Sequence, residues 1–366
     1  VDGSAPASPR LLSELELPGK PWGVAVSGSY VYVAAGDLQV IDVSNPSDPQ
    51  LVGGVTTPDY ARSVAVSGDF AYVVNGSGLQ VVDIADPVNP RLLGGVDTPG
   101  EAVDVAVSGT RAYVADQYSG LQVIDISDPA SPEFVVGVDT PVAAKAVVVA
   151  GGHAYVAGRS GFGVERIAGL QVIDITSPGG PRLAGFVNTP GFARSVAVSG
   201  SQAYVLDGYA LQAIDITDPA SPRLSGRANT LGFATGVAVS GNHAFAGGTS
   251  GLQVFDVTSR ANSPQLEGGV DTPGDAHDVA ISGSYAYVAD GMSGLQVVDI
   301  ADPANPVLLV GRDTVDRAVG VTVYGDHAYV VDGDGLRVID ITIPANPQLV
   351  GGVDTPGVAR CVAVSG

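Results

Sequence analysis

A five-residue phrase, Leu38-Gln39-Val40-Ile41-Asp42, returns in close variants beginning at Leu79, Leu121, Leu170, Leu211, Leu252, Leu295 and Leu336. The intervals are 41, 42, 49, 41, 41, 43 and 41 residues. A fixed period of this length denotes stacked copies of one supersecondary unit, each burying its apolar surface against its neighbours. A chain of 366 residues exceeds the size at which one core stops growing, and modular stacking removes that limit. The 50 Gly and 25 Pro interrupt the chain too often for long helices. No apolar run reaches the length that spans a bilayer, so no membrane insertion is expected.

Each period holds four short segments rich in β-branched and aromatic residues, bounded by turn formers. In the second copy they are Ser63–Val66, Phe70–Val74, Leu79–Ile84 and Arg91–Val96. Ser67-Gly68 and Asn75-Gly76-Ser77-Gly78 close hairpins, where glycine supplies a positive φ. Asp86-Pro87-Val88-Asn89-Pro90 closes the third connection, with proline presetting φ. Several segments are apolar on both faces, as a sheet covered on both sides requires. Four antiparallel strands per period, sandwiched between like neighbours, predict an all-β chain: a β-propeller of four-stranded antiparallel blades.

The phrase Leu-Gln-Val-Ile-Asp followed by Asp-Pro-Ala-Asn-Pro resembles the LVIVD-repeat family, most fully in residues Leu121–Pro132 and Leu295–Pro306. The resemblance covers nearly all of the chain. It implies a propeller of the kind found in bacterial and archaeal surface proteins, an extracellular or cell-envelope setting, and a binding or scaffolding role.

First-strand and fourth-strand segments each occur nine times, second and third strands eight times. The counts predict eight complete blades plus a two-strand closure, Arg10–Leu17 with Val358–Val364. The alternative is nine blades, the ninth stunted and made from both termini. Residues 1–8 read as an N-terminal tail and 9–366 as one propeller domain.

The formal charge of −21 argues against nucleic acid as a partner, since such a field repels phosphate backbones. Cys361 is the sole cysteine, which excludes an internal disulfide and a cysteine zinc site, and it replaces serine at its repeat position. The first residue is Val1 rather than Met, consistent with a removed leader, though no signal peptide is legible. No catalytic elbow, phosphate loop, zinc-protease helix or dinucleotide fingerprint occurs, and no cofactor is expected.

Repetition separates scaffold from site, because a single site needs its chemistry once. The third-strand aspartates, present in all eight copies from Asp42 to Asp340, are expected to bond backbone N–H groups of the next turn. The Asp-Thr-Pro motif at Asp97, Asp139, Asp271 and Asp354, with its Asp-Thr-Val variant at Asp313, is read the same way, and the second-strand tyrosines as packing between blades. Candidates are the residues that break the symmetry on the face carrying the second-to-third and fourth-to-first loops. The residue before each first strand gives Trp22, Arg62, Lys145, Arg194, His277 and Arg360 as ligand-binding candidates. A ring of cations at the mouth of an acidic body would hold a carboxylate or sulfate, and salt bridging with nearby aspartates is the plainer account. The insertion 159–168, which explains the interval of 49, adds Phe162 and Arg166. Asp275, His277 and Asp278 form the weak metal candidate, with Asp316 as a further ligand, although His277 and Asp278 point to opposite sides of an extended segment.

The expected function is a non-catalytic, exported binding or interaction scaffold that uses its channel-mouth loops for a protein, glycan or small anionic ligand, as a monomer. One alternative is a lyase or hydrolase acting on an anionic substrate with Arg62, Lys145, Arg194 and His277 in one pocket. The other is a purely structural surface module.

Overall fold

The computed structural model describes residues 23–44, 50–159, 167–177, 180–258, 263–314, 316–332, 335–354 and 363–364. Eight four-stranded antiparallel sheets follow one another along the chain. Blade 1 comprises Gly23–Ser27, Tyr30–Ala35, Asp37–Asp42 and Gln50–Val55. Blades 2 to 8 span Ala61–Asp97, Asp104–Val138, Ala143–Asn188, Ser195–Asn229, Ala234–Val270, Asp278–Arg312 and Gly320–Asp354. Among the described residues no helix is long and apolar enough to cross a membrane.

Inner strands are buried on both faces because each sheet is covered by the next. In blade 2 the pattern over Gly78–Asp83 is buried at every position but the last. One apolar cluster fills each gap between blades, and the second-strand aromatic is central to it. Tyr72 packs with Val105, Val114 and Ile124 of blade 3, and Tyr113 with Val147 and Val156 of blade 4. Phe245 takes the same place in blade 6. The ring closes the same way: Tyr329, Val331, Leu336 and Val338 of blade 8 pack on Val26, Val31, Val33 and Ile41 of blade 1. Every described strand falls within these eight sheets, so there is no ninth sheet among the described residues. Closure therefore needs no composite blade. Instead Ala363–Val364, the ninth copy of the first strand, pairs in parallel with Ala25 and Val26 on the inner edge of blade 1. Arg10–Leu17 lies outside the described residues.

Two local devices recur. All eight sheets shift register between third and fourth strands, for example at Val81/Val82, and such bulges add the twist that wedge-shaped blades need. All eight third-strand aspartates accept a hydrogen bond from the backbone N–H two residues on, as Asp125 does from Ser127 at 2.9 Å. In the Asp-Thr-Pro motif the expectation is corrected. Asp97, Asp139, Asp271 and Asp313 are exposed, and the threonine does the bonding. Thr140 Oγ1 donates to the Val142 carbonyl at 2.6 Å, and Thr98 Oγ1 to the buried Asp116 carboxylate at 2.8 Å. A short hydroxyl tightens a fourth-to-first loop, and at Thr98 it also gives a hydrogen bond to a carboxylate that burial desolvates.

Candidate functional site

The fourth-to-first loops are stapled to the preceding blade by one repeated bond. The backbone N–H groups of Ala61, Ala144, Ala234, Ala276 and Ala318 donate to carbonyls of Gly36, Gln117, Gly208, Gly248 and Gly291, at 2.7 to 3.0 Å. These alanines are buried, and only a small side chain fits where one blade's loop meets the next blade's turn. The residue that follows each staple faces the channel. In blades 2, 4 and 6 the register slips there, leaving Arg62, Lys145 and Thr235 as bulged residues without a cross-strand partner. A bulge at this point turns a side chain out of the sheet, which is how a rigid strand can aim a group into a cavity.

Arg62, Lys145, Arg194 and His277 all line one cavity of about 450 Å³, together with Ser63, Asp104, Ser195, Thr235 and Asp278. Four of the six sequence candidates at this repeat position are thus brought together. Trp22, Arg360, Phe162 and Arg166 lie outside the described residues.

Cations on one side of the mouth are neutralised and on the other side they are not. Arg62 pairs with Glu101, whose second oxygen accepts from Gln117, and Gln117 Oε1 accepts from Lys145 Nζ at 2.9 Å. Arg317 Nε donates to His277 Nε2 at 2.9 Å and reaches Asp275 at 4.0 Å. Burial pushes the His277 imidazole below its ordinary value, the Arg317 charge pushes the same way, and Asp275 opposes. His277 therefore stands as a neutral acceptor with a guanidinium on the nitrogen a metal would need. Among the described residues no group of three or more His, Cys, Asp or Glu could hold a metal ion.

Arg194 and Arg159, by contrast, rest on rings. The Arg194 guanidinium lies 4.8 Å from the Phe233 centroid and that of Arg159 lies 5.1 Å from Phe192. Neither has a carboxylate partner among the described residues. Burial lowers the Lys145 ammonium and the Arg194 guanidinium, and in each case the Arg159 charge adds to the effect.

Below this rim the channel is lined by small residues and two carboxylates. Asp104 Oδ2 accepts from the Val147 backbone N–H at 3.0 Å and Oδ1 from the Ser63 hydroxyl at 3.2 Å. Asp278 Oδ2 accepts from the Val321 N–H at 3.1 Å and Oδ1 from the Val279 N–H at 3.0 Å. Each aspartate so clasps the following blade. Desolvation deep in the channel pushes both up to about 6, against the hydrogen bonds that favour the ionised form. Blades 3 and 7 are four steps apart in a ring of eight, so the two carboxylates face each other across the channel. Gly236 must be glycine beside them, because a Cβ there would lie 2.8 Å from the Asp278 Cα.

Sequence reasoning missed the residues two positions before the candidate slot, Glu101, Phe192, Phe233 and Arg317, and read Asp275 at the same place only as a metal candidate. These supply the partners and aromatic seats just described. The signal was available, since alternate residues of an extended segment share a side. The symmetry-breaking test needed only to be applied two residues earlier.

The model of the LVIVD repeat matches residues 18–57, 58–98, 99–140, 143–189, 190–230, 231–272, 273–314 and 317–355. No curated protein matches the chain. Among solved structures it is similar to the computationally designed Ika8 protein, with TM-score 0.71 and 13% identity over 87% of this chain and 96% of that one. BamB from Moraxella catarrhalis gives 0.66 and 14%, over 91% and 97%. Apo AztD from Citrobacter koseri gives 0.63 and 14%, over 88% and 93%. At such identities the likeness is one of fold.

Proposed function

The chain belongs to the LVIVD repeat family, and on that premise we propose that it is a non-catalytic binding propeller whose channel mouth receives a small anionic ligand. The observation that carries the reading is electrostatic. In a chain of net charge −21, Lys145 and Arg194 converge on one cavity, Arg194 with no carboxylate partner among the described residues and Lys145 linked to Glu101 only through Gln117. Their charge is held by bulged backbone and aromatic seats before any ligand arrives, which lowers the cost of binding. A concave site with a few converging polar groups is the usual form of a small-ligand pocket. An envelope or extracellular setting is part of the same proposal and rests on the family resemblance.

The test is a thermal-shift series with acetate, sulfate and phosphate at low ionic strength, since a ligand of the folded state raises its melting midpoint by mass action. Wild type should show a saturable rise with at least one anion, and the K145M/R194A variant should lose it. A flat response of wild type to all three would overturn the reading.

The same convergence supports a second reading, an enzyme acting on an anionic substrate with His277 as base. In it Arg317 would have to release His277 Nε2, which it now occupies at 2.9 Å. Substrate-dependent displacement of that pair, seen as a change in the His277 imidazole resonances, would favour catalysis over binding.

A further inference from the structure

The two halves of the mouth differ in a way that bears on what the anion is. On the side of blades 2, 3, 7 and 8, Arg62 has Glu101 and Arg317 has Asp275. Lys145, Arg159 and Arg194 come from three separate strand ends in blades 4 and 5. Arg159 pairs in register with Ala143, two residues before Lys145, and rests on Phe192, two residues before Arg194, so the fold holds like charges together here. Each guanidinium lies over a ring rather than against a carboxylate, Arg159 over Phe192 and Arg194 over Phe233, so its N–H donors are not spent on an ion pair among the described residues. Lys145 spends one hydrogen on Gln117 and keeps two.

A carboxylate presents two coplanar oxygens and satisfies one guanidinium fork. Three cations arriving from three strand ends need acceptors that do not share a plane, which a tetrahedral oxyanion supplies. Beside Arg194 the Phe233 ring meets Tyr209 edge-on, with centroids 5.4 Å apart. Tyr209 is itself 66% exposed, a bare ring beside the Phe233 seat of Arg194. Such a face is a platform for a sugar or aryl ring.

Resting on the anion-binding reading above, we propose that the ligand is a sulfate or phosphate ester carried on a ring, held between blades 4 and 5 by Lys145, Arg159 and Arg194, with the ring on Tyr209.

Titration calorimetry of the whole chain with acetate, inorganic sulfate, inorganic phosphate, phenyl phosphate and phenyl sulfate tests this. Sulfate and phosphate should bind roughly tenfold tighter than acetate or better, and phenyl phosphate roughly tenfold tighter again than phosphate. R159Q should bring sulfate down to the level of acetate, and Y209A should remove the phenyl increment while leaving inorganic phosphate unchanged. R159K keeps the charge but not the fork, and it carries the test if R159Q does not fold. Whichever phenyl ester binds tighter identifies the group. Acetate binding as tightly as sulfate in wild type would overturn this proposal and leave the anion-binding reading standing, whereas no binding of any probe would end both. Unchanged discrimination in both Arg159 variants would also overturn it.

Discussion

Lowering the pH from 7.5 to 5 titrates Asp104 and Asp278, and the fold should respond in a direction opposite to ordinary acid destabilisation. Both carboxylates are pushed from 3.8 up to about 6 in the folded chain. Between about pH 4 and pH 6 the folded state therefore keeps protons that the unfolded chain has released. Unfolding free energy falls as pH rises through that window and levels off above about pH 7. A shift of about two units corresponds to a ceiling of about 3 kcal/mol per group. Only about half of that ceiling falls between pH 5 and 7.5, and both side chains border an open cavity, so we expect about 0.5–1 kcal/mol each over this range once solvent screening is allowed for. For 366 residues the unfolding entropy is about 0.8 kcal/mol per kelvin, so the pair should move the melting midpoint by about 1–3 °C. Other carboxylates titrate too: Asp116 and Asp290 are raised by burial, while Asp125, Asp174 and Asp256 are lowered by hydrogen bonds to the next turn. The decisive comparison is thus with D104N/D278N, in which each amide oxygen can still accept from Val147 or Val321. Calorimetric melting of both proteins from pH 5 to 7.5 should show the wild-type midpoint falling, relative to the variant, by those few degrees. Parallel curves would refute the argument that these two groups are held against ionisation.

The same two protons should be felt at the mouth: sulfate, whose own charge is constant over this range, should bind a few-fold tighter at pH 5.5 than at 7.5 by titration calorimetry, and D104N/D278N should abolish the difference. E101Q releases Arg62 and should raise sulfate affinity a few-fold; no change would mean that Arg62 does not act on the anion. In blade 8 Arg337 replaces the usual glutamine and donates to the buried Asp332 at 2.8 Å, where blade 5 has Gln212 donating to Asp207 at 2.8 Å. R337A should cost about 3–5 kcal/mol in urea unfolding, since it strands a buried carboxylate, and R337Q clearly less. Tyr113→Ala should cost about 3–5 kcal/mol, whereas Tyr113→Phe should be mild because Phe245 already fills that place in blade 6.

The architecture was legible because its information is repeated. Eight copies of Leu-Gln-Val-Ile-Asp, with hairpin glycines at fixed offsets, specify the blade redundantly, and Gly68 does adopt φ +58° in the first hairpin turn. The position of Arg62, Lys145, Arg194 and His277 was legible for the complementary reason, as variation against a constant frame. What the sequence hid is pairing between blades. Nothing local announces that Glu101 reaches Arg62, that Arg317 crosses to His277, or that Asp104 bonds the backbone of Val147, because each partner lies 39 to 43 residues away. The mode of closure was hidden too. The spare strand copies predicted eight complete blades, which the structure has, but not that the ninth first-strand copy pairs in parallel on blade 1 while complementary apolar faces on blades 8 and 1 join the ring.

The alanine staple has a consequence for how such a molecule can change. Because one buried N–H fixes the loop, the next residue is free to vary without disturbing the fold, and the five stapled blades each contribute one such variable slot to a common chamber. Recognition is then written like a combination lock, one independent dial per module. A new specificity would require turning two or three dials while the housing stays as it is.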